Sequence, residues 1–467
     1  MASDTLNPDA RLENIRALAA AAGLSEDTAA ARLEQEVLVT WDSNDQASSE
    51  LVAELAPILT RTLLVDFKYS SSAKKQYAAE IVIGSAAPLT SCPQVFCVLR
   101  TDRCVVSQKE IRNKTEAPPH RLMTLVSACY LAGAAIRLSV GQDMPNPPPK
   151  TFEIIFSDLI DPAGALTDPI DIGESYLAGA GAIGNGFLWA ARYIHLKGIL
   201  HIVDYDRVSG GNLQRQIWFN ESDIGQYKAN ILYKKAQPSM FDCQLVPSIT
   251  RLQEHKNRID GPWLKRLIVG VDSRRARRHL QNELPGEVFD ASTSGSQEIV
   301  LHYNRQPTDL ACMGCIYFQD EGEISHDQSL ADHLGIDVSD LKTGQIDARL
   351  AVKICEMHPQ LDPAKIIGEA FDSLYKQLCS SQQLKSLKGE QVIAPFAFIS
   401  VLAGSLLLLE VIKRLNKGSY SQKTNDWRIN PWREPFPQMR QARPRRAGCE
   451  CCSIPEIQKA NSALWAG

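Results

Sequence analysis

The chain has 467 residues, of which 44% are hydrophobic and 22% charged, with a net charge of −4. That length exceeds what one ordinary core accommodates and predicts two domains. The composition is that of a globular chain, and the small net charge argues against nucleic acid or an anionic membrane as its main partner.

Residues 1–38 are charged and alanine-rich, without the basic-then-apolar build of a signal peptide, so a cytoplasmic chain is expected. LVAELAPIL has helical spacing, TLLVDF, AAEIVIG and VFCVL read as strands, and Arg121 to Leu138 reads as an apolar helix. No glycine pattern follows a strand in this part, where Gly84 stands alone, so a packing or docking platform is expected. The proline run ending at Pro149 cannot continue a helix or a central strand. FEIIF then reads as a short buried strand, and Asp161 to Gly173 as a turn-rich linker. We set the boundary near residue 165, giving an N-terminal α/β domain over 1–165 and a second domain over 166–467.

The second part alternates strands and helices: YLAGAG, a helix, ILHIVD, a helix around Lys228, CQLVPSI, then RLIVGVD. Such an order implies right-handed crossovers and a mostly parallel, Rossmann-like sheet that binds ligands beyond the C-terminal ends of its strands. Gly179, Asp204 and Asp272 each sit at such an end. Gly179, Gly181 and Gly184 have G-x-G-x-x-G spacing, which brings backbone N–H groups against phosphate. Asp204 follows at the distance of a ribose-binding carboxylate. Asp206 is either part of the same site or a turn cap. Asn212, Arg215, Gln216 and Lys228 come next. A nicotinamide site does not need two cations there, but a triphosphate that must be cut does. Arg215 and Lys228 suit β- and α-phosphates, and Asp272 suits Mg²⁺. The set fits nucleotidyl transfer, in which a carboxylate attacks the α-phosphorus and an acyl-adenylate forms.

Val392 to Leu409 is uncharged and just long enough for a short membrane span. Pro395, Gly404 and Ser405 interrupt it and Glu410 and Lys413 follow, so it reads as a buried core helix, with no membrane partner. The arginines at 274, 275, 277 and 278 spread around a helix and read as a solvated or partner-facing surface rather than a nucleic-acid stripe. Among twelve cysteines, Cys312 and Cys315 form one C-x-x-C and Cys449 and Cys452 another, enough for a tetrahedral Zn²⁺ site tying the tail to the body. Cys451 is spare. Cys243 and the N-terminal cysteines read as core thiols.

These motifs resemble the ThiF/MoeB/ubiquitin-activating-enzyme family. The likeness is carried by GAGAIGNG, VDYDRVSGGNLQRQIWFNESDIGQYKA, GVDSRRARR, TSGSQEIVLHYN before CMGC, and IAPFAFISVLAGSLLLLEVIKRL. It implies a ThiF-type adenylation domain with Asp204 on the ribose, Asn212, Arg215 and Lys228 on ATP phosphates, Asp272 on Mg²⁺ and Zn²⁺ on the four cysteines. It further implies activation of the C-terminal Gly-type tail of a ubiquitin-like protein, capture on an enzyme cysteine and transfer to a conjugating enzyme. Of two candidate thiols, Cys379 is preferred because polar residues follow it and Lys376 and Lys385 flank it. Cys355 has packed neighbours, with Leu350, Val352 and Ile354 in helical spacing. Many relatives pair two subunits, so a homodimer is a candidate assembly. No R-x-x-R-Q occurs near residue 1, and only Arg11 and Arg16 stand in that position. The N-terminal domain resembles a degenerate adenylation half, a layout similar to bacterial ubiquitin-like conjugation systems of antiphage operons. Sulfur-carrier activation of the thiamin or molybdopterin type is the alternative, although no rhodanese-like module is recognisable. A degenerate nucleotide-binding module and a nicotinamide oxidoreductase are the remaining readings.

Overall fold

The computed structural model describes residues 7–68, 76–140, 150–160, 166–319, 321–343, 346–367, 369, 371, 374–375, 378, 394–416 and 423–465. Two helices, α1 (Pro8–Ala22) and α2 (Glu26–Leu33), start on side-chain caps: Asn7 accepts from the N–H of Asp9, and Ser25 from the N–H of Thr28. They lead into β1 (Glu36–Trp41), α3 (Gln46–Leu59), β2 (Leu64–Lys68), β3 (Ala79–Ile83), β4 (Gln94–Leu99), β5 (Arg103–Ser107), α4 (Arg121–Val140) and β6 (Thr151–Ile155). These strands form a six-stranded sheet in the order β2-β1-β3-β4-β5-β6, parallel from β2 to β4 and antiparallel beyond.

After α5 (Phe156–Leu159) the second sheet begins with β7 (Ile170–Ala178), so Ile170 to Gly173 belong to a strand and not to the expected linker. Then come α6 (Ala182–Ala191), β8 (Leu196–Val203), α7 (Lys228–Ala236), β9 (Asp242–Ser248), β10 (Arg266–Val269), α8 (Arg274–Gln281), β11 (Glu287–Ser294) and β12 (Glu298–Arg305). Two late strands, β13 (Asp426–Ile429) and β14 (Arg440–Gln441), complete an eight-stranded sheet ordered β14-β13-β12-β11-β10-β7-β8-β9. From β9 to β11 all pairs are parallel. The chain runs outward one way through β7, β8 and β9 and the other way through β10 and β11. The switch point therefore lies between β7 and β10, where such sheets bind ligands.

One apolar core runs through both halves. Its axis is the helix Ala397–Leu415, which packs on α6, α4, β11 and β12. Gly404 does not interrupt this helix; it lets α6 approach, and a Cβ there would lie 2.2 Å from the amide nitrogen of Phe187. Gly186 makes the reciprocal contact, where a Cβ would lie 2.5 Å from the carbonyl oxygen of Ser400. Among the described residues only α4 is long and apolar enough to cross a membrane, and its apolar window is 83% buried against the rest of the chain.

The first sheet has a switch point of its own, after β1 and β3, and it is filled from within. Asp45 Oδ2 accepts from Ser48 Oγ at 2.7 Å and from the Thr115 N–H at 3.1 Å. Gly84 sits against them, and a Cβ there would lie 2.5 Å from Ser48 Oγ.

The Gly404 contact makes a test whose sign is informative. Helix propensity alone would make Gly404→Ala stabilising by about 1 kcal/mol. The close approach of α6 should reverse that and cost about 1–3 kcal/mol, read as a lower urea midpoint. A raised midpoint would contradict the packing.

Candidate nucleotide site and cysteine cluster

The turn from β7 into α6 is built by close backbone approach. Gly179 has φ +101°, and a Cβ there would meet the backbone of Gly270 at 3.0 Å. A Cβ on Gly184 would come within 2.1 Å of the Gly179 carbonyl oxygen. At Gly181, by contrast, the nearest atom to a Cβ is 3.9 Å away, so the backbone lies open. Asp204, just after β8, pins this turn. Its Oδ2 accepts from the Ala180 N–H at 2.6 Å and its Oδ1 from the Asp206 N–H at 2.8 Å. Burial pushes its carboxyl up to about 6 from an ordinary 3.8, with nearby Asp206 adding and Lys228 opposing. Each carboxylate oxygen keeps acceptor capacity for a ligand hydroxyl.

Lys228 opens α7, is 8% exposed and donates to Asp206 Oδ2 at 2.8 Å. Burial lowers its pKa, but Asp206 and Asp204 outweigh this and hold it above the ordinary lysine range. Arg215 donates to the Gly211 carbonyl at 3.1 Å. Burial lowers its pKa, opposed by Glu13 of α1 and by Asp272. Asp272, beyond β10, acts electrostatically on both Arg215 and Lys228. Asn212 uses its Oδ1 to accept from the Ser209 N–H at 3.1 Å, which leaves its NH₂ end to donate. Gln216 is buried, and its Oε1 has no hydrogen-bond partner among the described residues. Carboxylates and cations from separate strand ends thus converge at the switch point.

Sequence reasoning missed Asn185 and Arg61. Asn185 is fully buried; its Nδ2 donates to the carbonyls of Ala180 and Gly181 at 2.8 and 3.0 Å, and its Oδ1 accepts from the Trp218 N–H at 3.1 Å. It joins the glycine turn to the stretch carrying Asn212 and Arg215. The available signal was an amide on the otherwise apolar helix α6. Arg61, in the first half, donates to carbonyls of that same stretch. Helix α1 also packs there, since a Cβ on Gly210 would lie 2.5 Å from Asp9 Oδ2. Arg11 pairs with Glu34 and Arg16 with Glu13, both within the N-terminal part.

The arginines of α8 correct one expectation. Arg277 is 2% exposed, pairs with Asp290 at 2.8 Å and donates to the Ala291 carbonyl. Arg275 is buried against Asp327, and Arg278 and Arg274 donate to the carbonyls of Tyr317 and Phe318. Arg275 and Arg277 are thus buried ties, Arg277 to β11, whereas Arg274 stays exposed and Arg278 half-buried while they hold the chain after the cysteine turn.

Cys312, Cys315, Cys449 and Cys452 are all buried, with their sulfurs within 4.8 Å of one another. Sulfur–sulfur separations of 3.9, 3.7 and 3.2 Å bracket the ~3.8 Å edge of a tetrahedral zinc thiolate with ~2.3 Å bonds. The donor set fits Zn²⁺. Gly314 is required, because a Cβ there would meet Cys451 Sγ at 2.7 Å. Cys451 donates to Asn282 Oδ1 at 3.2 Å and stays outside the four. Cys243, Cys97, Cys104 and Cys129 are buried, and Cys92 half-buried. Cys379 lies outside the described residues. Cys355, on the helix Ala348–Met357, is half-buried against a small separate core, and desolvation raises its thiol pKa. Leu350 and Ile354 pack into that core, whereas Val352 points to solvent at 55% exposure.

A doubly wound sheet with a glycine turn and a cluster of acids and cations at its switch point defines an α/β fold of the adenylating type. The chain belongs to the ThiF family, whose match spans residues 170–451 and whose members are adenylyltransferases for which ATP binding is expected. Residues 8–150 match the E1 N-terminal domain. The chain is 31% identical over 279 residues to the uncharacterised protein y4jF of Sinorhizobium fredii (strain NBRC 101917 / NGR234), covering 56% of this chain and 52% of that one. Over 130 residues it is 27% identical to the NEDD8-activating enzyme E1 catalytic subunit of Arabidopsis thaliana, covering 26% of this chain and 28% of that one. The chain thus spans about half or less of the length of these relatives. E. coli MccB solved with ATP aligns with a TM-score of 0.36 at 13% identity, covering 77% of this chain and 97% of that one.

Two outcomes follow for the site. The purified chain should carry one zinc by elemental analysis, lost in Cys452→Ser and kept in Cys451→Ser. The raised Asp204 value means that the native state holds this proton more tightly. Its contribution to stability is therefore fully present below about 3.8 and declines as pH rises through about 6. Nucleotide affinity should run the other way, rising through about 6 as the carboxylate forms, with a flat profile in Asp204→Asn.

Proposed function

We propose that this chain activates a ubiquitin-like protein by adenylating its C-terminal carboxylate, then carries it as a thioester and passes it to a conjugating enzyme. The observation that carries the reading is the convergence of Arg215 and Lys228 with Asp204, Asp206 and Asp272 at one switch point. The E1 N-terminal domain match and the NEDD8-activating relative support a ubiquitin-like substrate. None of the eleven described cysteines forms a disulfide, which suits the reducing cytoplasm we propose for the chain.

In this reading the open backbone at Gly181 and the α6 N-terminus receive phosphate, and Asp204 accepts from the ribose. Lys228 exchanges Asp206 for a phosphate oxygen, and Arg215 and Asn212 donate to the same chain of phosphates. Gln216 lies in the same stretch and would help line the site. Asp272 would hold Mg²⁺, whose carboxylate-type donors these acids supply and which would neutralise charge on the departing pyrophosphate. A carboxylate oxygen of the partner's Gly-type tail attacks the α-phosphorus as the bond from that phosphorus to the bridging oxygen breaks. Pyrophosphate leaves, and both charge and geometry are supplied by fixed groups. A thiolate then attacks the acyl carbon and AMP departs. Cys379 is our proposed thiol, since desolvation disfavours the thiolate of Cys355. Zn²⁺ on Cys312, Cys315, Cys449 and Cys452 has a structural part, fastening the tail to the body. The N-terminal half (1–165) acts as an adenylation-like platform without a site of its own, and its packing against the second half removes the need for a homodimer to build the nucleotide loop.

With the ubiquitin-like partner present, the chain should catalyse ATP–pyrophosphate exchange, and Asp272→Ala should lower it by about a hundredfold or more. Absence of exchange in the wild type would overturn the proposal. A reducible adduct should vanish in Cys379→Ser and persist in Cys355→Ser; a thiocarboxylate product in place of the adduct would assign sulfur-carrier activation.

A further inference from the structure

The stretch that carries Asn212, Arg215 and Gln216 meets the other half of the molecule twice, at Gly210 against α1 and further on through the side chain of Arg61. Arg61 follows α3, and its guanidinium donates to the carbonyls of Leu213, Ile217 and Phe219, the last two at 2.7 and 2.9 Å. Those carbonyls bracket Arg215 on both sides. The arginine is itself fixed, because its own carbonyl accepts from Asn14 Nδ2 of α1 at 2.7 Å. Burial lowers its pKa to about 10, so it stays charged at neutral pH. A charged donor against several buried carbonyls is strong and directional, and a planar fork serves it in a way an ammonium cannot.

Between the Ile217 and Phe219 carbonyls the stretch is also tied within the second half, where Asn185 accepts from the Trp218 N–H and Lys235 donates to the Trp218 carbonyl at 2.9 Å. The middle of the stretch, residues 213–217, has Arg61 as its cross-molecule anchor. We propose that Arg61 is a positioning residue for the nucleotide site, setting the backbone path that aims Arg215, so that the N-terminal half builds part of the site in cis. The inference rests on the proposed nucleotide function and deepens it. Loss of the clamp lets the stretch populate other paths, and apparent affinity then falls by the fraction that remains competent.

The test uses the full chain and MgATP as probe, with adenosine as the comparison. Arg61→Lys keeps the charge but can satisfy fewer carbonyls. It should weaken MgATP about tenfold or more, leave adenosine within about twofold, and retain zinc. In a double-mutant cycle Arg61→Lys should have little further effect in an Arg215→Ala background, because the aimed group is gone. Amide exchange should quicken over residues 213–219 alone. Equal MgATP affinity in Arg61→Lys and wild type overturns this inference and leaves the nucleotide reading standing. Full additivity with Arg215→Ala, or equal weakening of adenosine, assigns Arg61 a purely structural part and also overturns it. Failure of the wild type to bind MgATP overturns both. Should Arg61→Lys fail to fold, Asn14→Ala, which loosens Arg61 from behind, must give the same selective loss.

Discussion

A half-buried carboxylate just after β8 is the constraint on which the site depends. Asp204 accepts from two backbone N–H groups, one in the glycine turn and one in the following loop. Removing a carboxylate from water is costly unless its oxygens are satisfied, and here the satisfying groups are the backbone whose shape matters. The same hydrogen bonds fix the turn where phosphate would approach and leave acceptor capacity facing outward. Desolvation raises the Asp204 carboxyl, and the nearby Lys228 ammonium offsets only part of that rise.

Around this point the molecule is laced by polar side chains that tie loops to loops, while apolar packing sets the frame. Gly186 and Gly404 let α6 and the late core helix touch backbone to backbone, which places the N-terminus of α6 relative to every strand of the second sheet. Asn185 on α6 then reaches the Trp218 amide, and Arg61 reaches across from the first half. The acid–base cluster is therefore positioned by groups that do not themselves face the ligand space. The first sheet repeats the order of a nucleotide-binding half, yet Asp45, Ser48, Thr115 and Gly84 close its switch point.

Local patterns made much of this legible. The parallel strands β7, β8 and β10 are largely apolar and run directly into Gly or Asp, and ThiF-type motifs name themselves by spacing. Paired C-x-x-C turns marked the cysteine cluster, although which of Cys451 and Cys452 joins it depends on the turn around Gly314. β1 escaped notice because EVLVTW follows an alanine-rich helical stretch without a turn cluster, yet it is an interior strand of the first sheet, paired on both sides. The α8 arginines were read as surface because arginine usually is, and Arg274 is exposed; only their tertiary partners, Asp327 and Asp290, bury Arg275 and Arg277. Arg61 had no local signal at all, since its partners are carbonyls about 150 residues away, and every residue has a carbonyl.

The most direct measurement is a structure of the chain with a non-hydrolysable ATP analogue and Mg²⁺. The account predicts the ribose on Asp204, the α- and β-phosphates within hydrogen-bond reach of Arg215 and Lys228, and the metal beside Asp272. A nucleotide seated elsewhere, or Lys228 still bound to Asp206 with the phosphates turned away, would contradict it.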